Sequence, residues 1–408
     1  MYKLKEIPSL FSQAGIFLVM RGSIKILVLC LLLTASCHKT PSNFELVSEI
    51  ERERILEKAS SYLDAKPITV TASFSERSAG GRHDYFSEGD YWWPNPEDPK
   101  GPYIRRDGRS NPDNFNDHRK ALIRFCQISG ALASAYLITE DKAYVQSLRP
   151  HLLAWFVDEE TRMNPHLLYA QAISGKVTGR GIGIIDTVHL AEVAMAVEIL
   201  ADSEVASNSE IDAIKKWFKE YLQWLTSHQF GIDERDHGNN HSVCWTIQVA
   251  AFAALVDDTK TLDFCEDLYK NSLLPQQMDV DGSFPKELNR TKPYGYSLFN
   301  IDAMASVCQI LSTEKENLFK YTTKEGKSLA LGMQFIYPYI KDKDTWPYQK
   351  DVMYWEEWPV RQSSLLFAGM AFDNESYIKL WTSLNGDFQT AEIVRNMPVK
   401  HPLLWIER

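Results

Sequence analysis

Apolar residues recur at intervals of three and four positions through most of the chain after Asp117, and this period predicts α-helices. The clearest case is 209–225, where seven apolar side chains fall on one helical face. The other predicted helices cover residues 41–65, 122–136, 144–156, 188–200, 242–256, 260–272, 297–312, 327–340, 361–370 and 375–384. Strand patterns are few and short, so we expect an all-α fold.

The order of these helices predicts their arrangement. They follow one another with polar loops between them, and the chain has no fixed sequence repeat of the kind that builds a regular solenoid. Some are apolar on all sides and others on one face only, as expected for an inner and an outer layer. We therefore predict an (α/α) toroid of about five to seven helical hairpins, in a single domain over residues 37–408.

Residues 66–116 interrupt the helical pattern. They are rich in Gly, Pro, Asn, Asp and aromatic residues, and the 3.6-residue period is absent. A loop region of this length is commonly functional or disordered, and its many Trp and Tyr residues argue against disorder. We expect it to face the substrate.

The N-terminal segment predicts export. Arg21 and Lys25 precede an apolar run from Ile26 to Leu33, which is too short to span a bilayer and is followed by small residues. We interpret residues 1–36 as a signal peptide, with Met20 as an alternative start. The sequence "LLTASC" resembles a lipobox and makes Cys37 a candidate lipid anchor. The expected location is the periplasm or cell surface of a Gram-negative bacterium, as a lipoprotein with no other membrane contact.

Charge narrows the range of partners. The chain carries a formal net charge of −10, and residues 1–36 hold four basic side chains against one acidic side chain, so the remainder carries −13. This charge argues against nucleic acid as a partner. An acidic polysaccharide would need cations gathered locally. The remaining cysteines lack metal-binding spacing, and we expect buried free thiols at Cys126, Cys244, Cys265 and Cys308.

Two polar stretches stand at the starts of predicted apolar helices. The first, "DHGNNHSVCW" (236–245), places Asn240 and His241 at a helix start, where a cap and a satisfied polar group are the simplest interpretations. The second, "DGSFPKELNRTKPYGYSLFNIDAM" (281–304), gathers Arg290, Lys292, Tyr294 and Tyr296. A cation beside a phenol lowers its pKa, which favours the phenolate that a base requires.

Further candidates for substrate binding carry aromatic or guanidinium groups. In "YWWPNP" and "YIRRDG", the indoles can stack on sugars and the arginines can pair with carboxylates. In "GRGIGIIDTVHLAE", an arginine precedes a helical pattern and a histidine lies within it; the histidine also fits a core position. These candidates are Trp92, Trp93, Arg105, Arg106, Arg180 and His189. The sequence contains no HExxH or acidic calcium loop, so we expect no metal and no cofactor.

Three of these motifs, taken in order, resemble the alginate lyase family of polysaccharide lyases. They are "DYFSEGDYWWPNP" with "PYIRRDG", then "NNHSVCW", and then Arg290, 49 residues after His241, followed by Tyr296 as R-x(5)-Y. The resemblance extends from about residue 70 to 400. It implies an (α/α) toroid and β-elimination of uronate polymers, so the expected partner is an acidic polysaccharide, bound by a monomer.

The resemblance also implies roles for individual residues. Asn240, His241 and Arg290 would surround the uronate carboxylate, and Tyr296 would be the catalytic tyrosine. Better-known members space the Arg and Tyr one residue further apart, so Tyr294 stays open as an alternative. His241 could be a base or only a donor, depending on the sugar.

Two other functions remain open at this stage. A glycoside hydrolase on a similar toroid would use a carboxylate pair drawn from Asp186, Asp236, Asp281 and Glu287. A non-catalytic glycan-binding lipoprotein would explain the aromatic residues and the tether, but not Arg290 and Tyr296 beside an Asn-His pair.

Overall fold

Residues 41–408 are the part of the chain that this computed structural model describes, and α-helices account for most of them. The predicted signal peptide and the candidate lipid anchor at Cys37 lie outside these residues. The helices are α1 (Asn43–Tyr62), α2 (Asp117–Thr139), α3 (Lys142–Phe156), α4 (Leu190–Asp202), α5 (Asn208–Ser227), α6 (Gln229–Arg235), α7 (Asn240–Leu255), α8 (Thr259–Leu268), α9 (Leu274–Gln277), α10 (Pro285–Leu288), α11 (Pro293–Leu311), α12 (Leu329–Lys341), α13 (Ser363–Ala371), α14 (Glu375–Ser383) and α15 (Ala391–Arg395).

The longer helices form two layers. In the inner layer, α2, α4, α7, α11 and α13 pack successively against one another. In the outer layer, α1 and α3 cover α2, α5 and α8 cover α7, α12 covers α11, and α14 covers α13. This is the (α/α) toroid that the helical pattern predicted.

Burial explains why each helix occupies its layer. In α7, 14 of 16 residues are buried, so the helix is enclosed on all sides. In α5, seven of 20 residues are buried, all on one stripe from Ile211 to Leu225. α2 is long and apolar enough to cross a membrane, but it packs as a core helix between α1, α3 and α4.

Residues 66–116 are largely non-helical, as predicted, and they contribute three short strands. β1 (Phe86–Glu88) pairs in parallel with β4 (Tyr169–Ala172). β2 (Trp92–Trp93) pairs antiparallel with β3 (Ile104–Arg105), with Trp92 opposite Arg105. Through β4 and the contact of β1 with α2, the long loop packs against the helical part of the fold.

The C-terminal segment packs against the inner helices. Its 3₁₀ turn, Pro402–Trp405, contacts α1, α2 and α4. A buried carboxylate of α4, that of Glu192, accepts hydrogen bonds from the backbone N–H groups of Lys400 and His401 and from the Trp405 indole. This segment therefore ties helices that are far apart in sequence.

The same segment accounts for His189. Its ring is buried, and Nδ1 lies 2.7 Å from the ammonium nitrogen of Lys400. The prediction that His189 binds substrate is therefore wrong, because the side chain contacts the C-terminal segment rather than the cavity described below. The four cysteines predicted to be buried thiols, Cys126, Cys244, Cys265 and Cys308, are buried and free.

Candidate active site

A cavity of about 450 Å³ opens where the long loop meets the starts of α7 and α11. Four arginines and two carboxylates contribute to its wall, together with neutral donors and aromatic rings. The lining residues are Asp90, Tyr91, Trp92, Arg105, Gln171, Arg180, Ile182, Ile185, Asp186, His237, Asn239, Asn240, His241, Arg290, Tyr296, Phe299, Arg395 and Asn396. All four predicted catalytic residues are among them.

The first turn of α7 supplies the neutral donors. Asn239 caps this helix, since its side-chain oxygen accepts from the backbone N–H of His241. The backbone N–H and the side-chain amide of Asn240 both donate to Glu287, at 3.0 and 2.9 Å. Burial raises the pKa of Glu287, and the hydrogen bonds from Asn240 oppose that shift. Glu287 thus fixes Asn240 from the protein interior, and the side chain of Asn240 lines the cavity.

A buried carboxylate fixes His241 in a similar way. Its Nδ1 lies 2.8 Å from a carboxylate oxygen of Glu234, whose side chain is fully buried. The ring of His237 packs against that of His241, with centroids 4.8 Å apart, and His237 Nδ1 lies 2.7 Å from the side-chain oxygen of Asn239. His237 lines the cavity as well.

The phenol of Tyr296 lies among polar partners in the first turn of α11. Its oxygen is 2.7 Å from the hydroxyl of Tyr91, and Nη2 of Arg290 donates to it at 3.2 Å. Burial and the neighbouring Tyr91 raise the pKa of Tyr296 well above its ordinary value, while the Arg290 charge opposes the shift. We expected the neighbouring cation to lower the phenol pKa. That prediction is wrong, because desolvation raises the pKa by more than the cation lowers it.

Arg290 is itself fixed by Asp107 of the long loop. Nε and Nη2 donate to the two carboxylate oxygens of Asp107 at 3.3 and 3.1 Å. Although burial opposes it, the hydrogen bond from Arg290 lowers the pKa of Asp107 to about 2, so the carboxylate is ionised. Nη1 is the nitrogen of Arg290 without a hydrogen bond to any residue in 41–408. Nη1 therefore has its N–H groups available for a substrate oxygen.

Three predicted substrate-binding residues lie outside the cavity. Tyr294 is fully buried, packs against Trp346 and Trp355, and donates its hydroxyl to a backbone carbonyl, so it is not a wall residue. Trp93 and Arg106 stack on each other, with the guanidinium carbon 5.1 Å from the ring centroid. For Tyr294 the prediction of direct substrate binding is wrong, because its side chain is enclosed by packing, whereas substrate binding by Trp93 and Arg106 stays a prediction.

The other three, Trp92, Arg105 and Arg180, line the cavity, and substrate binding by them stays a prediction. Arg180 donates from Nε and Nη2 to the backbone and side-chain oxygens of Gln171, at 2.8 and 3.2 Å. Across residues 41–408 it has no ion pair with a carboxylate. Burial and the charge of Arg105 lower its pKa to about 10, which leaves it cationic at neutral pH.

The two carboxylates of the wall are both engaged by cations. Asp90 accepts from Arg119 at 2.6 Å and from Arg395, and these charges overcome burial to lower its pKa to about 2. Asp186 accepts from Arg119, Ser87, Tyr85 and Gln171. Neither is a free acid or base.

The remaining carboxylates considered for a hydrolase are elsewhere. Asp236 and Asp281 are exposed and off the wall, and Glu287 lies behind Asn240. The wall therefore does not offer the unengaged carboxylate pair that glycoside hydrolysis uses. Among residues 41–408, no group of three His, Cys, Asp or Glu side chains is arranged to hold a metal ion.

Gln171 is a wall residue that sequence patterns did not indicate. Its φ of 49° lies in the left-handed region, which is unusual for a residue other than glycine. Its amide nitrogen donates to Asp186, and its two oxygens accept from Arg180. With this strained backbone, the Gln171 side chain contacts both Asp186, a buried anion, and Arg180, the cation without a carboxylate partner in the described structure.

Comparison with known proteins agrees with this geometry. The alginate lyase family profile matches residues 69–346, which is more than half of the chain. The structure of an alginate lyase from Bacteroides ovatus superposes with a TM-score of 0.78 at 28% identity, covering 90% of this chain and 97% of that one. A search of curated protein sequences gave no match.

More distant structures share the fold. Alginate lyase A1-III from Sphingomonas species A1 aligns at 15% identity with a TM-score of 0.54, over 88% of this chain and 94% of that one. A variant of that enzyme with a histidine replaced by alanine, complexed with a tetrasaccharide, aligns at 14% identity with a TM-score of 0.57, over 87% of this chain and 94% of that one. The family match and the fold lead to one conclusion: this chain belongs to the alginate lyase family and is a polysaccharide lyase acting on uronate polymers.

Proposed function

We propose that this enzyme cleaves 1,4-linked uronate chains by β-elimination, with mannuronan blocks of alginate as the first substrate and glucuronan as the second. The observation that carries the proposal is the position of Tyr296. Its hydroxyl lies in a cavity rich in arginine, bonded to Arg290 and close to the neutral donors of α7. That is the set of groups needed to acidify a proton beside a carboxylate and then remove it.

The carboxylate of the reacting sugar must be stabilised first, because its C5 proton is too weakly acidic beside an anion. Asn240 and His241 occupy the first two positions of α7, where the helix dipole is positive. Donors there favour the charge that builds on the carboxylate in the transition state. Arg180 adds a cation that no protein carboxylate pairs with in the described structure.

Tyr296 is proposed as the group that moves the proton. As a phenolate, it takes the C5 proton; the C5 electrons form the C4–C5 double bond, and the bond from C4 to the leaving oxygen breaks. The same hydroxyl then returns the proton to that oxygen. In mannuronate and glucuronate, the C5 proton and O4 lie on the same side, so one tyrosine serves both steps.

In the free protein the Tyr296 phenol is protonated, which suits donation of a proton to the leaving oxygen better than removal of the C5 proton. Burial keeps the Tyr296 phenol protonated, which suits an acid, and Arg290 is the neighbour that favours the phenolate. The main role proposed for Arg290 is therefore to stabilise the Tyr296 phenolate, while its Nη1 can donate to the substrate. A guluronate substrate would need a base on the opposite side, for which His241 is the candidate.

We also propose that the enzyme is exported and anchored by lipid at Cys37, facing the periplasm or the outside of the cell. The support is the sequence of the first 37 residues. Replacing Cys37 with Ala should move the protein from the membrane fraction to the soluble fraction. An unchanged distribution would contradict the anchor.

A substrate screen tests the activity. The protein is incubated with mannuronan, guluronan, mixed alginate and glucuronan, and the ultraviolet absorbance of the unsaturated uronate product is followed. We expect the fastest rise with mannuronan. Absence of unsaturated product from every uronate polymer would contradict the proposal, and saturated products would favour hydrolysis.

A further inference from the structure

Arg180 is held by neutral oxygens rather than by a carboxylate. Its Nε donates to the backbone oxygen of Gln171 at 2.8 Å, and its Nη2 donates to the side-chain oxygen of the same residue at 3.2 Å. Within residues 41–408, Nη1 has no hydrogen bond. A single glutamine therefore supplies both of the acceptors that the described structure gives to a guanidinium on the cavity wall.

The two segments that carry these side chains are fixed to each other through their backbones. The N–H of Arg180 donates to the carbonyl of Ala170 in β4 at 3.0 Å. Gly179 lies so close to Leu168 that an added Cβ would be 1.9 Å from the Leu168 carbonyl oxygen. Gln171 and Arg180 therefore face each other across two closely packed segments.

The side-chain amide of Gln171 satisfies its neighbours in one orientation. Its nitrogen donates to Asp186 at 3.2 Å, and the backbone N–H of Gln171 donates to the Ser87 hydroxyl at 2.9 Å. A carboxylate accepts hydrogen bonds and a guanidinium only donates them, so the amide nitrogen must face Asp186 and the amide oxygen must face Arg180. This arrangement retains a strained backbone, with a φ of 49° at Gln171, as is common where a side chain is placed for function.

No acidic side chain of the described structure is paired with Arg180, although three lie nearby. The charged groups that face it are Arg105, Lys176, Asp90, Asp186 and Glu234. Both aspartates accept from Arg119, and the glutamate lies 2.8 Å from Nδ1 of His241. Each nearby carboxylate therefore has another partner, and the charge of Arg180 is left for a ligand.

We propose that Gln171 is a positioning residue that orients Arg180 for a uronate carboxylate without cancelling its charge. An amide oxygen holds a guanidinium by a hydrogen bond alone, whereas a carboxylate in the same place would form a charge-assisted ion pair. The substrate carboxylate would then have to compete with a protein anion. This inference rests on the proposed lyase function, and it gives Gln171 a role in substrate binding through Arg180.

A double-mutant cycle tests whether Gln171 acts through Arg180. The dissociation constant of a mannuronate oligomer is measured for Tyr296→Phe, in which we expect no turnover, and for the same protein with Gln171→Met, Arg180→Met or both. We expect Gln171→Met to weaken binding about 10-fold, as for one hydrogen bond to a charged group, and Arg180→Met about 100-fold. The combined variant should bind like Arg180→Met alone, because the side chain at 171 then has no guanidinium to orient.

Gln171→Glu in the same background tests the requirement for a neutral side chain. While protonated, the new carboxyl donates to Asp186 as the amide does; once it loses the proton, it is an anion beside Arg180. Uronate binding favours the protonated form, so affinity should match the parent at low pH and fall at least about 10-fold as pH rises through the pKa of the new group. Gln223→Glu, the same change at an exposed position of α5 outside the cavity, should bind like the parent at each pH.

Thermal unfolding checks that each variant is folded. When the amide is lost, Asp186 keeps its hydrogen bonds from Arg119 and Ser87. If Gln171→Met does not fold, Gln171→Asn takes its place in the cycle, because asparagine tolerates a left-handed backbone and its shorter amide withdraws from Arg180.

Three results would overturn the inference: unchanged affinity in Gln171→Met, independent effects of Gln171→Met and Arg180→Met, or an affinity of Gln171→Glu that keeps a constant ratio to the parent at every pH. Failure of the lyase assignment is seen separately. In that case the wild-type protein itself would yield no unsaturated product from any uronate polymer.

Discussion

At the scale of single residues, Tyr294 and Tyr296 show how position decides role. They lie two residues apart in α11, which places them about 200° apart around the helix axis. Tyr294 points to Trp346 and Trp355, and Tyr296 lines the cavity. The R-x(5)-Y spacing left the choice between them open. Because of this angle, Tyr296 reaches the cavity and Tyr294 does not.

Tyr296→Phe should therefore remove turnover and spare binding. The phenol is proposed as both base and acid, so its loss should lower kcat by at least about 100-fold. Tyr294→Phe is the matched control, which should keep its activity and lose about 1 kcal/mol of stability with its bond to the Tyr339 carbonyl. Steady-state kinetics and thermal unfolding measure both. The reverse outcome, with Tyr294→Phe inactive, would move the catalytic role to Tyr294.

Arg290→Met should shift the pH dependence of the reaction. The Arg290 charge lowers the pKa of Tyr296 against burial, so its removal raises the pKa further. Activity that needs the phenolate increases with pH up to that pKa, and the rising limb of kcat/KM should therefore move to higher pH. A profile that keeps its shape and position while the rate falls would show that Arg290 does not act through Tyr296.

At the scale of elements, the start of α7 combines a structural cap with part of the active site. Asn239 caps the helix, accepts from the backbone N–H of His241 and lies 2.7 Å from His237. The cap of α5, Ser207, accepts from the backbone N–H of Glu210 and belongs to an exposed capping box. The two caps allow structure and function to be separated.

Asn239→Ala and Ser207→Ala should each reduce the free energy of unfolding by about 1 kcal/mol, the usual cost of losing a cap. Asn239→Ala alone should also reduce kcat/KM, because the first turn of α7 carries Asn240 and His241. Denaturant unfolding and kinetics on the same preparations measure both effects. Equal activity in the two variants would show that the cap does not set the geometry of the site.

The helices were predictable from sequence because their signal is local. Apolar spacing marks 11 helices of nine or more residues within 41–408, and the predicted bounds agree to within four residues, apart from the start of α2, which was expected at 122 and lies at Asp117. After α8 the chain continues as a π-helical turn at Tyr269–Leu273. Asn240, His241, Arg290 and Tyr296 were found through motifs. Their partners were not, because contacts such as Tyr91 with Tyr296 and Asp107 with Arg290 join positions 205 and 183 residues apart.

At the scale of the whole molecule, the C-terminal segment holds the toroid together. The Trp405 indole donates to Glu192 of α4, its carbonyl accepts from Gln309 of α11, and its ring lies 6.0 Å from that of Phe367 in α13. These contacts connect three inner helices. None of these residues lines the cavity.

Trp405→Ala should destabilise the fold without changing the chemistry. Loss of a buried tryptophan costs about 3–5 kcal/mol, so the midpoint of unfolding should fall markedly. The kcat of the folded fraction should match that of the wild type, because Trp405 does not line the cavity. Thermal unfolding and active-site titration test this. A loss of kcat in fully folded protein would show that the segment also shapes the cavity.

The charge distribution at this scale is uneven. The chain after residue 36 carries −13, yet the cavity wall holds Arg105, Arg180, Arg290 and Arg395. Their local positive charge is what an acidic polysaccharide needs in an otherwise anionic protein. Arg180, without a carboxylate partner in the described structure, is the cation that we propose to contact the uronate.

The central claim is that this cavity carries out β-elimination through Tyr296, and the mass balance of the reaction tests it most directly. A defined mannuronate oligomer is digested, and the products are measured by mass spectrometry. The account predicts fragment masses that sum to the mass of the substrate, with an unsaturated sugar at the new non-reducing end, and no products from Tyr296→Phe. Fragments that together carry one added water, or wild-type rates from Tyr296→Phe, would contradict it.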